Sequence, residues 1–152
     1  MAFSREYAAK VILTEEQFRQ TMRAQYTMYN NFDKNLSTNK WVDVLNPFLG
    51  VLGLVFTNVP RFGTPIGIAT GIVSLLTELV PDEEGDLEDM VKGGYWEFGY
   101  IDDFFSRNPR YDRLEIRFPF LEYESGGVPV RFVTGRGLVT RAHSGSGWEI
   151  LE

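Results

Sequence analysis

Apolar residues recur at helical spacing between Phe18 and Phe32, and this is the clearest periodicity in the N-terminal part of the chain. The spacing of four, four, three and three places five side chains on one face of a helix: Phe18, Met22, Tyr26, Tyr29 and Phe32. Thr14-Glu15-Glu16-Gln17 has the residue order of a capping box. The pattern predicts an amphipathic helix from Thr14 to about Phe32 that packs its stripe in a core. Tyr7–Leu13 fits either a short strand or an early helical turn.

Residues 41–80 form a long segment in which only Asp43, Arg61 and Glu78 are charged. Two of these charges lie near the ends and Arg61 lies at the centre, beside the turn signal Pro60. The pattern predicts an apolar helical hairpin with arms of about 41–59 and 62–80. Proline is favoured at the start of a helix, so the regular parts should begin near Pro47 and at Pro65.

Glycines recur every four residues in the second arm, at Gly63, Gly67 and Gly71. Glycine in a helix interior costs up to about 1 kcal/mol relative to alanine, so three on one face indicate a close backbone approach. The first arm, which contains Gly50 and Gly53, could supply it, and so could the same ridge of a second copy.

The polarity changes at Pro81, where a run of acidic residues begins. Residues 81–112 contain ten acids and three bases, a large part of the net charge of -6. We interpret residues 81–92 as a solvated acidic linker, because the spacing lacks the ligand order of an EF-hand calcium loop. Loss of its charge in acid would reduce repulsion from an anionic bilayer, so six side chains form a candidate switch: Asp82, Glu83, Glu84, Asp86, Glu88 and Asp89.

Strand periodicity dominates the last forty residues, after an aromatic cluster that begins at about residue 95. Leu114, Ile116, Phe118 and Phe120 alternate with residues of the opposite face, and glycine-rich turns at 125–127, 135–137 and 145–147 separate the segments. Proline cannot donate to a ladder, so Pro119 and Pro129 suit strand edges or starts. The chain is therefore predicted to be one α+β domain, with a helical part of about 14–80 and a β-rich part of about 95–152. The sheet is expected to be an antiparallel meander of three or four strands.

Composition argues against several classes of function. With no cysteine and one histidine, His143, the chain lacks the usual ligands of a zinc site and the pair of a cysteine protease. An acidic chain without a basic stripe is not expected to bind nucleic acid. We expect no catalytic residue, no metal and no cofactor. The N-terminus lacks the order of a secretory signal peptide, and the compartment stays open.

Two functions fit the low-charge segment. In the first, the chain is a non-enzymatic interaction or assembly protein, and its hairpin packs against other subunits or a second copy. In the second, the hairpin enters a lipid bilayer; in this respect residues 41–80 resemble the hydrophobic hairpin of water-soluble channel-forming toxins. Both hypotheses assign the same candidate residues: Trp41, Phe48, Leu52, Phe56, Gly63, Gly67, Gly71 and Leu75. An enzyme of unknown type is a third alternative.

Overall fold

The described part of the chain begins with a strand that joins the C-terminal sheet. A computed structural model describes residues 3–152 and confirms the α+β class. The strands are β1 (Phe3–Thr14), β2 (Arg113–Ser125), β3 (Val128–Val133), β4 (Leu138–Ser144) and β5 (Gly147–Ile150). The helices are α1 (Glu15–Asn31), α2 (Thr38–Leu45), α3 (Leu49–Val55), α4 (Pro65–Glu78), α5 (Pro81–Glu97) and α6 (Gly99–Arg107), with short 3-10 helices at Asn46–Phe48 and Pro60–Phe62.

Strand β2 organises the sheet. It pairs antiparallel with β1 along its whole length, from Phe3 opposite Glu124 to Thr14 opposite Arg113. On its other side its C-terminal part pairs with β3 and its N-terminal part with β4, which in turn pairs with β5. The expected meander is therefore wrong in its order, because β4 returns to β2 instead of continuing from β3.

Pro119 lies inside β2, at the gap between the segments that pair with β3 and β4, and not at a strand start. Its carbonyl accepts a hydrogen bond from the backbone N–H of Thr134 at 3.0 Å. Its nitrogen points to the same side, where no ladder bond is needed, and this explains why a proline is tolerated in a central strand. Pro129 lies on the outer edge of β3, as expected for a residue without an N–H.

Helix α1 has the predicted start. The Thr14 hydroxyl accepts from the N–H of Gln17, and the Gln17 side chain accepts from the N–H of Thr14, which completes the capping box. In the stripe, Phe18, Tyr29 and Phe32 are buried, whereas Tyr26 is 45% exposed. The open alternative for Tyr7–Leu13 is resolved as strand β1.

The core lies on both faces of the sheet. Leu114, Ile116 and Phe118 face one side, and Phe118 packs against Phe98 with ring centroids 5.9 Å apart. On the other side α4 lies close to β3, and all six residues of β3 are buried. Helices therefore cover both faces of β3.

The acidic run is helical, which corrects the expected linker. Residues 81–92 form most of α5, and Glu83 accepts from the N–H of Val80 at 3.1 Å. Acids in the first turn are favoured by the helix dipole, and Pro81 suits the first position. Leu87, Val91 and Gly94 are buried at spacings of four and three, an apolar stripe that the surrounding charges obscured. The β-rich part accordingly begins at Arg113, not at about residue 95.

Candidate functional site

The residues predicted for interaction or membrane insertion lie mainly in the core. Trp41, Leu52 and Phe56 are fully buried and Leu75 is 1% exposed, while Phe48 is half-buried. The first arm is also two helices, α2 and α3, because Asn46-Pro47 interrupts it. The structure therefore brings these side chains together inside the molecule and presents no continuous surface made from them.

The three glycines do not form one ridge. A Cβ on Gly63 would lie 2.1 Å from the Cα of Gly53, one on Gly67 would lie 2.3 Å from the carbonyl oxygen of Phe62, and one on Gly71 would lie 2.4 Å from Val130 Cγ2. Gly63 also precedes α4 and is not part of it. Each glycine permits a separate close approach within the chain, and for Gly63 the neighbour is Gly53 of the first arm, one of the two partners considered from the sequence.

Within residues 3–152, no helix has the length and apolar character needed to cross a bilayer. Helix α3 has seven residues and α4 has fourteen.

The candidate acidic switch is spread around α5. Asp82, Glu83, Asp86 and Asp89 are exposed, and Glu84 and Glu88 are half-buried. Their arrangement is that of a solvated helix face and helix start, and the switching role stays a prediction.

The outer edge of β1 is the most prominent unsatisfied backbone surface of the described chain. β1 has twelve residues and pairs continuously with β2, without a bulge. No backbone hydrogen bond within residues 3–152 reaches its other edge. Strands in globular proteins usually have about 5 to 6 residues, so this edge is long. It offers a row of free N–H and C=O groups to another strand.

The position of Pro119 shows which β1 residues point outward. Pro119 directs its carbonyl away from β1, so its partner Ala8 belongs to a pair that does not exchange hydrogen bonds with β2. The N–H and C=O of Ala8 therefore face solvent. By alternation along the strand, the same holds for a set of even-numbered residues: Ser4, Glu6, Ala8, Lys10 and Ile12.

The other strand edges are short or covered. On β3 the N–H of Arg131 donates to the Phe56 carbonyl at 2.9 Å, and Gln25 bonds both backbone groups of Val133, at 3.1 and 2.7 Å. Pro129 has no N–H to cover. Strand β5 has four residues. Because the edge of β3 is covered and β5 is short, β1 has the one long open edge among the described strands.

A buried polar network supports β1 from the helix side. Glu122 is 5% exposed, and its carboxylate accepts from Arg5 Nε at 2.8 Å and from the Tyr7 hydroxyl at 2.6 Å. Arg131 donates to the same hydroxyl at 3.2 Å and to the Val55 carbonyl at the end of α3 at 2.7 Å. Burial, followed by the bond to Glu122, raises the pKa of Tyr7. The network fixes β1 to β2, β3 and α3, so the edge is held on a rigid support.

A cavity of about 440 Å³ lies beside this edge. Its β1 wall is residues 9–12, and its far wall includes Gly53, Leu54, Asn58 and Pro60. Side chains of an added strand could enter it.

Another cavity, of about 600 Å³, lies elsewhere, on the outer side of α1. Its lining mixes aromatic, basic and acidic side chains, among them Arg19, Arg23, Tyr26, Tyr95 and Asp102. Its lining contains no histidine and a single acid, Asp102.

His143 lies on β4. Its Nδ1 is 2.7 Å from Asp112 Oδ1 and its Nε2 is 3.2 Å from Arg113, and its ring packs against Trp148. The hydrogen bond from His143 lowers the pKa of Asp112. No hydroxyl of the described residues bonds this ring, so the triad that nucleophilic catalysis requires is not assembled here. No group of acids and histidine in residues 3–152 has the geometry of a metal site.

Known proteins give no further guide. The chain matches no family model, no curated protein and no solved structure with which it was compared. The open edge of β1 is therefore the feature from which a function is inferred.

Sequence reasoning missed this edge, although the signal was present. Tyr7, Ala9, Val11 and Leu13 are buried or half-buried and alternate with exposed residues in the second half of β1, which is strand periodicity. The short apolar run Val11–Leu13 obscured the alternation.

Proposed function

We propose that the chain is a non-enzymatic interaction protein that binds its partner by strand addition to the outer edge of β1. One observation carries the proposal: an uninterrupted twelve-residue strand leaves one edge unpaired, whereas the outer edge of the six-residue β3 is covered. In strand addition, main-chain hydrogen bonds supply affinity and side-chain pockets supply specificity. In β1 the outward N–H and C=O groups would make the main-chain hydrogen bonds, and the adjacent cavity would receive side chains of the partner.

The edge lacks two of the usual protections against pairing. Prolines, bulges and charged side chains, lysine above all, commonly blunt edge strands. β1 contains no proline and no bulge, and its charged residues are Arg5, which is paired with Glu122 on the helix side, and Glu6 and Lys10 on the opposite face. A strand of this length with one open edge is suited to pair with a strand of a partner.

A synthetic peptide of residues 3–14, acetylated and amidated, tests strand addition. Binding should slow amide exchange at Ser4, Glu6, Ala8, Lys10 and Ile12, measured by nuclear magnetic resonance at low protein concentration. The odd-numbered amides already bond β2 and should change little. Protection elsewhere on the surface, with none on the even-numbered amides of β1, would contradict the proposal.

Two variants of Ala8 make the test specific. Ala8→Pro removes an outward N–H that bonds nothing in the chain, so the fold should survive while the peptide dissociation constant rises at least ~10-fold. Ala8→Val keeps the N–H and has good strand propensity, so binding should stay close to that of the unchanged chain. Equal loss in both variants would show that backbone pairing is not responsible.

A further inference from the structure

We propose that the added strand is β1 of a second copy, antiparallel to the first and with Ala8 on the two-fold axis. This inference rests on the proposed function and names its partner. The two sheets would become one continuous sheet across the interface.

Symmetry limits the registers that such a pair can adopt. Directly opposite residues of an antiparallel pair point to the same face of the sheet. In a two-fold pair that continues the sheet, even-numbered residues therefore face even-numbered ones. The axis passes through one residue of β1, not between two. The outward groups of the even-numbered residues then meet their counterparts in hydrogen-bonded pairs.

Charge selects Ala8 among the available axis positions. With Ala8 on the axis, Glu6 of each copy faces Lys10 of the other, which forms two opposite-charge pairs. An axis at Glu6 or at Lys10 would place like charges face to face, and this is destabilising. An axis at Tyr7 or Ala9 would leave both charges opposite uncharged residues. Only the Ala8 register matches charge with charge.

The same register uses the whole strand. It aligns residues 3–13 of one copy with residues 13–3 of the other, and its hydrogen-bonded pairs would supply about ten backbone bonds. The two small residues at the centre, Ala8 and Ala9, allow close approach. Tyr7 of one copy would lie beside Ala9 of the other, next to the cavity of about 440 Å³.

The side chains of Glu6 and Lys10, which lie on the face of β1 opposite that of Tyr7, are available for these pairs. Glu6 has no ion pair among the described residues, and Lys10 is 48% exposed and lies 3.7 Å from Glu115. Lys10 can therefore approach Glu6 of a second copy while it stays near Glu115.

A cysteine scan measures the register directly, because the chain has no cysteine of its own. In the proposed pair the two Ala8 Cα atoms are about 5.5 Å apart, within the range that a disulfide bridges. Oxidised Ala8→Cys should give a covalent dimer of twice 17.4 kDa on non-reducing electrophoresis. Ser4→Cys is the matched control: it is exposed on the same face, but two copies would be about 27 Å apart, and it should stay monomeric.

Charge exchange tests the pairs independently. By sedimentation equilibrium on the full chain, Glu6→Lys should raise the dimer dissociation constant at least ~10-fold, because both symmetric pairs become repulsive. The double variant Glu6→Lys with Lys10→Glu should restore association. Thermal unfolding of each variant separates loss of pairing from loss of fold, which matters because Lys10→Glu introduces an acid near Glu115.

The outcomes separate this inference from the proposed function. Preferential cross-linking of Ala8→Cys, with rescue by the double variant, supports the dimer. Cross-linking of Ser4→Cys as fast as Ala8→Cys overturns the register. An unmodified chain that stays monomeric at millimolar concentration overturns the dimer, yet strand addition stands if the peptide still protects the even-numbered amides. Failure of both experiments removes both proposals.

Discussion

At the residue scale, two carboxylates are almost completely buried in the sheet and each is neutralised by guanidinium groups. Glu122 lies beside Arg5 and Tyr7, and Glu115, which is 7% exposed, accepts from Arg141 Nη2 at 2.6 Å. Burial of a carboxylate is costly unless it is paired and hydrogen-bonded. The partners of both carboxylates come from distant parts of the chain. The alternation of apolar and polar residues in the sequence therefore indicated no role for either acid.

Removal of the Tyr7 hydroxyl should expose this dependence. Tyr7→Phe deletes the donor to Glu122 and the acceptor of Arg131, so the free energy of unfolding should fall by about 1 to 3 kcal/mol. Tyr100→Phe is the control, because this side chain is 53% exposed and its hydroxyl bonds nothing in the described structure. Urea denaturation measures both. A loss as small as that of the control would show that the network contributes little.

Glu115 should make stability depend on pH. The hydrogen bond from Arg141 is the main cause that lowers the pKa of Glu115 from 4.5 to about 2. A lowered folded-state pKa stabilises the fold above the unfolded-state value, and this contribution is lost as pH falls through the folded-state value. The difference in melting temperature between the unchanged chain and Glu115→Gln should therefore be full at pH 6 and shrink between about pH 4.5 and pH 2.

Glu124→Gln replaces an exposed carboxylate on the same strand and serves as the control for that experiment. Its effect on stability should be below about 0.5 kcal/mol. A Glu115→Gln difference that is constant from pH 6 to pH 2 would contradict the assigned cause.

At the element scale, local signals predicted starts and turns better than they predicted packing. The capping box at Thr14 and the two glycines of the β2–β3 turn work as expected, since Gly126 and Gly127 have φ of 64° and 79°, values suited to a type I′ turn. The spacing of Gly63, Gly67 and Gly71 correctly indicated close approach, but only Gly63 meets the first arm, at Gly53, whereas Gly67 and Gly71 meet Phe62 and Val130. Spacing shows where a backbone is bare, whereas the neighbour depends on the fold.

Gly71 provides the corresponding prediction. Its added Cβ would lie 2.4 Å from Val130 and 3.1 Å from Val128, so Gly71→Ala should lower the free energy of unfolding by about 1 to 3 kcal/mol through overpacking. Gly85→Ala on α5 meets no atom within 4 Å and should raise it by up to about 1 kcal/mol. Guanidinium denaturation measures the pair. Stabilisation by both changes would mean that α4 does not pack on β3.

At the scale of the whole molecule, the sheet connects the two ends of the chain. The Arg5–Glu122 bond joins residues 117 positions apart, and β1 lies between β2 and solvent along its full length. Helices α1 to α6 are inserted in the sequence between β1 and β2, which are neighbours in the sheet. The helical part and the sheet therefore share one core, and neither has a separate one.

We expect this chain to unfold as one unit. Far-ultraviolet circular dichroism and tryptophan fluorescence should give the same midpoint in urea, because the fully buried Trp41 packs against Phe32, which in turn packs against Phe132 of the sheet. The fragment 15–152, which lacks β1, should lose the cooperative transition, whereas removal of the exposed Glu152 should cost less than about 1 kcal/mol. Two separate midpoints would indicate two independent units.

The sequence by itself determined the α+β class, the start of α1, the glycine turns and the strands of the C-terminal part, because these depend on side-chain period and on local backbone chemistry. It did not determine that residues 81–92 are helical, since charge obscured a stripe of only Leu87, Val91 and Gly94. Tertiary structure alone decided the strand order, the partners of Glu115 and Glu122, and the open edge of β1. Each of these depends on contacts between residues far apart in the chain, and a local pattern carries no information about which distant segment fills or leaves open a given edge.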